Sequence, residues 1–214
     1  MMSVENLRKT YHLRPVLRDV TFQVGEAASV GIFGKNGAGK TTLLKVIARI
    51  CSCDGGDVRF DGRSIMKGPA SNRQGILYLG HQPNLYPILT AEENLRFVCR
   101  LYGLAISEEE LLATLEEVGL VRQRWDPIRY YSRGMLQRLG IAKAMAVPWR
   151  LLLMDEPVTG LDEKGIELLE RFILRCQEQQ KSLIVVSHQL SWLERFCSSI
   201  LNLVDGEVHE ISPR

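Results

Sequence analysis

The chain has 214 residues, 45% of them hydrophobic and 24% charged, with a formal net charge of +2. Its length allows one good core with a subdomain but not two full domains, and its composition argues against disorder. Charge so near neutral gives no electrostatic ground for a nucleic-acid binder, and no nucleic acid is expected among its partners. No apolar run approaches the roughly 18–20 residues needed to span a bilayer. The N-terminus, MMSVENLRKTYHLRP, lacks the apolar stretch of a signal peptide. A soluble, cytosolic protein is expected. The five cysteines (Cys51, Cys53, Cys99, Cys176 and Cys197) are odd in number and scattered, which suits a reducing compartment. Cys51 and Cys53 have no second pair or well-spaced histidine to complete a zinc site, so they read as loop or core thiols.

In chain order, VLRDVTFQV (16–24) has a β-branched, alternating character, and ASVGIFG (28–34) is a short apolar run ending in glycine. Both predict strands. The segment TTLLKVIARI puts Leu43, Ile47 and Ile50 on one buried helical stripe. VRFDG (58–62) predicts another strand, closed by an Asp-Gly turn. Thr90-x-x-Glu93 and Ser107-x-x-Glu110 are capping boxes ahead of apolar-periodic runs. The second of these helices carries Leu111, Leu115 and Val118 on one face and stops at Gly119. A third helix should start just after Ser132 and run through LQRLGIAKAMA. Strands return at LLLMD (151–155), SLIVVS (182–187) and ILNLV (200–204), with helical sequence between them. Continuous apolar strands alternating with helices imply a mostly parallel sheet covered on both faces, with residues 90–147 as a helical block set into it.

Residues 34–41 match G-x-x-x-x-G-K-[ST], with Gly34, Gly39, Lys40 and Thr41 in the defining places, a buried strand before and a helix after. Glycines let the backbone turn so that successive N–H groups point at phosphates, and the helix N-terminus adds partial positive charge there. Lys40 is suited to neutralising phosphate oxygens, and the Thr41 hydroxyl to ligating Mg²⁺. Asp155 and Glu156 follow an apolar strand, where an acid pair can hold a Mg²⁺ shell and activate a water. His188 ends the next strand, where it can contact a γ-phosphate and orient that water.

With YYSRGMLQR (130–138) between them, these motifs resemble the nucleotide-binding subunit of ATP-binding cassette (ABC) transporters over nearly the whole chain. The resemblance implies an α/β P-loop NTPase (RecA-like) core with an N-terminal antiparallel β subdomain and an inserted helical subdomain. The whole chain, 1–214, would be one ABC ATPase domain. Residues 1–89 and 148–214 would form the ATP-binding core, and 90–147 the helical part with the signature motif. It also implies an ATPase with Glu156 as catalytic base, His188 as switch histidine and Lys40 on the phosphates. ATP would be bound by Gly34, Lys35, Asn36, Gly37, Ala38, Gly39, Lys40, Thr41 and Thr42, with Tyr11 stacked on adenine. Asp162 of TGLD would form the D-loop.

Two stretches depart from the family pattern. The usual Leu-Ser-Gly-Gly-Gln signature is Tyr131-Ser132-Arg133-Gly134-Met135 here, which keeps Ser132 and Gly134 for a partner's γ-phosphate and adds a cation at Arg133. Counting back from Thr90 of LTAEENL, the Q-loop position falls on His81, with Gln82 next to it. Either can complete a Mg²⁺ shell with Thr41 and Asp155. YLGHQP together with SRGM is similar to the haem-exporter ATPases of cytochrome c maturation. Their likeness implies a head-to-tail homodimer on ATP binding, attached through integral-membrane permease subunits at the cytoplasmic face of the bacterial inner membrane. The permease contact is expected at the helical block and the Gln82–Glu93 loop, with exposed apolar residues such as Leu85, Tyr86 and Leu89.

Overall fold

The computed structural model describes residues 1–80 and 84–211. It begins with strands β1 (Met2–Tyr11), β2 (Arg14–Val24) and β3 (Ser29–Phe33), followed by helix α1 (Lys40–Ile47). Strands β4 (Gly55–Phe60), β5 (Arg63–Ser64) and β6 (Ile76–Leu79) lead to helices α2 (Ala91–Leu101), α3 (Glu108–Glu117) and α4 (Arg133–Ala146). Then β7 (Leu151–Asp155), α5 (Glu163–Glu178), β8 (Ser182–Ser187), α6 (Leu190–Phe196), β9 (Ser199–Val204) and β10 (Glu207–Ile211) complete the chain. By contacts it divides into two compact units. One holds Met1–Tyr78, Arg150–Glu156 and the chain from Leu174 on; the other holds Leu79–Trp149 and Pro157–Ile173.

The first unit contains a four-stranded antiparallel sheet in the order β2-β1-β4-β5. A six-stranded sheet has the order β10-β9-β3-β8-β7-β6. Within it β9, β3, β8 and β7 run parallel, while β10 turns back antiparallel on β9. Every residue of β7 and β8 is buried, as expected of parallel strands covered on both faces. One apolar cluster joins Leu7 and Val20 to Leu43, Ile47, Leu153 and Ile184. The strand register sets the height at which each loop leaves the sheet. Phe33 pairs with Ser187, and Val186 pairs with Asp155. The carboxyl ends of β3, β8 and β7 are therefore level, and the loops leaving them emerge side by side.

Several local expectations meet the structure directly. Both capping boxes form: the side chains of Thr90 and Ser107 accept from Glu93 and Glu110 N–H, and both carboxylates accept in return. Helix α4 starts one residue after Ser132, whose Oγ accepts from Met135 N–H. Asp61 and Gly62 both lie in left-handed backbone, forming the hairpin turn between β4 and β5. Ile50 is a correction. Helix α1 ends at Ile47 with Ala48 as its C-cap, Arg49 turns to a φ of 54°, and Ile50 is thrown outward to 49% exposure. Strands β1, β5, β6 and β10 escaped the sequence reading: β5 and β6, of two and four residues, are too short to show a period, and β1 does not alternate cleanly. Three register shifts within β1–β2 pairing break that period.

In the second unit, α2, α3 and α4 bury Leu95, Leu111, Leu115, Leu139 and Ile141. Trp149 donates from Nε1 to the Ala144 carbonyl at 2.7 Å and meets Phe172 edge-on. Asn94 is wholly buried on α2. Its Oδ1 accepts from Tyr86 N–H at 2.8 Å, and its Nδ2 donates to the carbonyls of Tyr86, Leu89 and Thr90. This one amide fastens the 86–90 loop. The loop is also held by Ile128 N–H to Leu89 O and Arg129 N–H to Pro87 O. Leu85 and Leu89, expected to be exposed, are half-buried as a result; Tyr86 and Ile88 are the exposed apolar residues of the loop. Replacing Asn94 by Ala leaves buried peptide groups unpaired and should cost about 1–3 kcal/mol. Urea unfolding checks this, and an unchanged midpoint would refute the role given to Asn94.

Candidate active site

Beyond β3 the chain turns sharply, and two glycines make the turn possible. A Cβ on Gly34 would lie 2.6 Å from the Leu203 carbonyl oxygen, closer than atoms can approach. Gly39 has a φ of +101°, and a Cβ there would meet Val16 Cγ1 at 2.9 Å. Gly39 is also the N-cap of α1, which has no side-chain cap and no acid in its first turn. Such a helix start keeps its N–H groups and the positive end of its dipole open to an anion.

Lys40 is buried, with only 6% of its surface exposed. Its Nζ donates to the carbonyls of Gly34 at 2.7 Å and Lys35 at 3.1 Å, and stands 3.6 Å from Glu156 Oε1. A buried ammonium is costly unless its donors are taken, and the loop's own carbonyls take them. Glu156 follows β7 in left-handed backbone, at a φ of 51°, with its N–H donating to Val186 O. That turn sends its carboxylate between Lys40 and His188, whose Nδ1 lies 2.8 Å from Glu156 Oε2. Lysine, glutamate and histidine thus form one connected chain of polar side chains at the level strand ends.

Asp155 ends β7 at 2% exposure. Thr41 donates from Oγ1 to Asp155 Oδ1 at 3.1 Å, and the Tyr78 hydroxyl donates to Oδ2 at 3.2 Å. Burial, and then the charge of Asp155, push the Tyr78 hydroxyl well above its ordinary value, so it stays a donor. Tyr78 carries no mark in the sequence; a lone aromatic in a short strand gives no signal of its partner. Thr41 Oγ1 and Asp155 Oδ1 are hard oxygen donors close enough to share one small cation, a set that fits Mg²⁺ with water and phosphate filling the other positions.

Tyr11 lies at the end of β1, 41% exposed, with the Lys9 ammonium 5.2 Å from its ring centre. Its hydroxyl is raised first by a hydrogen bond with Cys51 and then by burial, and Thr42 is a further partner. In the second unit, a Cβ on Gly134 would lie 2.8 Å from Gly160 O, so the start of α4 sits hard against that turn. Asp162 Oδ1 accepts from Gly165 N–H at 2.9 Å, capping α5. His81 and Gln82 lie outside the described residues.

Gly37 and Gly39 offer a controlled comparison. Alanine in left-handed backbone costs about 1–2 kcal/mol at either. A Cβ at Gly37 meets nothing within 4 Å, whereas at Gly39 it strikes Val16. Gly39→Ala should therefore be the more destabilising by roughly 1 kcal/mol or more. Equal unfolding midpoints for the two variants would contradict this packing account.

Residues 17–159 match the family model described as ABC transporter. The chain is 32% identical over 216 residues to the linearmycin resistance ATP-binding protein LnrL of Bacillus subtilis (strain 168), covering 100% of this chain and 70% of that protein. It is also 32% identical over 189 residues to the cytochrome c biogenesis ATP-binding export protein CcmA of Vibrio cholerae, covering 88% and 91%. A solved dimeric ATP-binding cassette in a post-hydrolysis state, bound to ADP and Pi, superposes with a TM-score of 0.90 at 30% identity, covering 100% of this chain and 99% of that one. The level strand ends, the open helix start and the paired acids thus have a family context: the chain belongs to the ABC transporter family and is its ATP-binding, ATP-hydrolysing subunit.

Proposed function

We propose that this ATPase drives export across, or haem handling at, the bacterial inner membrane in cytochrome c maturation. The observation that carries the reading is the pairing of YLGHQP with SRGM, supported by a CcmA relative matched over 91% of its length. Residues 1–89 and 148–214 act as the ATP-binding core and 90–147 as the helical subdomain. In the core, the Gly34–Thr42 loop takes the phosphates, and Lys40 exchanges its carbonyl partners for phosphate oxygens. Tyr11 stacks on adenine. Thr41 and Asp155, with His81 or Gln82, hold Mg²⁺, which when bound neutralises charge on the phosphate oxygens. Glu156 takes the proton of the attacking water. His188, held through Nδ1, steadies that carboxylate and leaves Nε2 for the γ-phosphate.

Two copies associate head to tail on ATP. Ser132 caps α4 through its oxygen and keeps its hydrogen free for a γ-phosphate in the other copy, beside the Gly134 amide. Asp162, already fixed as the cap of α5, forms the D-loop at that contact. No helix among the described residues is long and apolar enough to cross a membrane, and integral-membrane permease subunits hold the dimer at the cytoplasmic face. They dock on the 85–90 loop, where Tyr86 and Ile88 are exposed beside Arg129 and Tyr130.

A second reading, the ATPase of a drug, lipid or polysaccharide exporter, is favoured by the equal identity to LnrL over the whole chain. Tagged protein drawn from gently solubilised native membranes separates the two. Small permeases with a Soret band support haem handling; a permease without haem moves the assignment to the second reading. Capture of no membrane protein would refute both. For the chemistry, Glu156→Gln should lower turnover by about 100-fold or more, the worth of a positioned general base, while ATP binding persists. Ile88→Glu should abolish permease capture yet leave the ATP affinity of the purified chain unchanged; capture at the native level would remove the 85–90 loop from the docking surface.

A further inference from the structure

A carboxylate that must present one chosen oxygen to a metal has a weakness, because the terminal torsion of aspartate is soft and nearly two-fold. Burial alone does not choose the oxygen. In this chain the two oxygens of Asp155 are told apart by their donors: Thr41 Oγ1 on Oδ1 and the Tyr78 hydroxyl on Oδ2. The donors also differ in kind. Thr41 opens α1 beside the phosphate loop and is itself suited to ligate the ion, whereas Tyr78 comes from β6, the neighbour of β7 at the sheet edge.

We infer that Tyr78 is a positioning residue for the metal-binding carboxylate: its hydroxyl pins Oδ2 of Asp155 so that Oδ1 faces Thr41 and the incoming Mg²⁺. The inference rests on the proposed reading of Asp155 as a Mg²⁺ ligand. Side-chain alternation along β6 supports it. Leu77 and Leu79 are buried on one face of the strand, and Ile76 and Tyr78 share the other, where Tyr78 packs against the core that includes Leu43 and Leu153. The ring packs partly buried against that core, so the hydroxyl reaches Asp155 from a strand of the sheet. A hydroxyl on a rigid strand is a better reference point than one on a loop. With Mg²⁺ bound, Thr41 would serve as a ligand to the ion, whereas Tyr78 would remain a donor to Asp155 Oδ2.

The test uses the full chain carrying Glu156→Gln, so that ATP is not consumed, with Mn²⁺ as the spin-bearing probe. Mn²⁺ is titrated by electron paramagnetic resonance in the presence of ATP, and fluorescent ATP is titrated separately without metal. Tyr78→Phe should weaken Mn²⁺ by about tenfold, the lower end of what a hydrogen bond behind a metal ligand is worth. Metal-free ATP affinity should be unchanged. In the chain with native Glu156, excess Mg²⁺ should restore the turnover that Tyr78→Phe loses at limiting Mg²⁺. Unchanged Mn²⁺ affinity would overturn the inference. So would a parallel loss of metal-free ATP binding, which would make Tyr78 a packing residue. Asp155→Asn is measured alongside: if it weakens Mn²⁺ and Tyr78→Phe does not, only the inference fails; if neither does, the reading of Asp155 as a ligand falls with it.

Discussion

The level ends of three buried parallel strands are the constraint on which the rest of this structure depends. Phe33 opposite Ser187 and Val186 opposite Asp155 bring the loop after β3, the acids after β7 and the histidine after β8 to one line. A slip of one residue in either pairing would turn each side chain to the opposite face of the sheet and separate the groups by a strand step. The slip is blocked by burial. Every residue of β7 and β8 is buried, most of them apolar, so a displaced register would separate core residues from the neighbours they pack against.

On that line the chain assembles charge that would be unstable elsewhere. Lys40 is nearly out of solvent, and two carbonyls of its own loop, with Glu156 close by, compensate it. Glu156 in turn needs left-handed backbone to reach both Lys40 and His188. Strain of this kind persists only when the surroundings over-determine it, and here the Glu156 N–H bond to Val186 and the two side-chain partners do so. Lys40, Glu156 and His188 hold one another in place. Preorganised charge does not have to be reoriented at the moment of reaction, which is the main economy an enzyme makes over water.

In the second unit, polar side chains serve mainly as fasteners. Asn94 ties a loop to a helix, Ser132 and Asp162 cap the helices they precede, and Gly134 permits a backbone contact that any side chain would prevent. Ser132 and Asp162 illustrate how a residue can hold local structure and still offer a group outward. A capping oxygen accepts from the helix, and the hydroxyl hydrogen or second carboxylate oxygen is left over.

Local chemistry was legible in the sequence wherever it acts over a few residues. Glycines at 34 and 39, the lysine and threonine after them, the capping boxes at Thr90 and Ser107 and the cap at Ser132 all obey rules of short range, and the structure contains each of them. The parallel, apolar strands were legible for the same reason, since burial on both faces leaves an unbroken apolar run. Pairings across the chain were not. Tyr78 and Asp155 are separated by 77 positions, and no local pattern records that their strands are neighbours. The half-burial of Leu85 and Leu89, the outward turn of Ile50 and the irregular β1 likewise depend on what packs or pairs alongside. Sequence determined which residues could do the chemistry; tertiary structure decided which oxygen, which face and which partner, because those are settled by strand order and register rather than by neighbours in the chain.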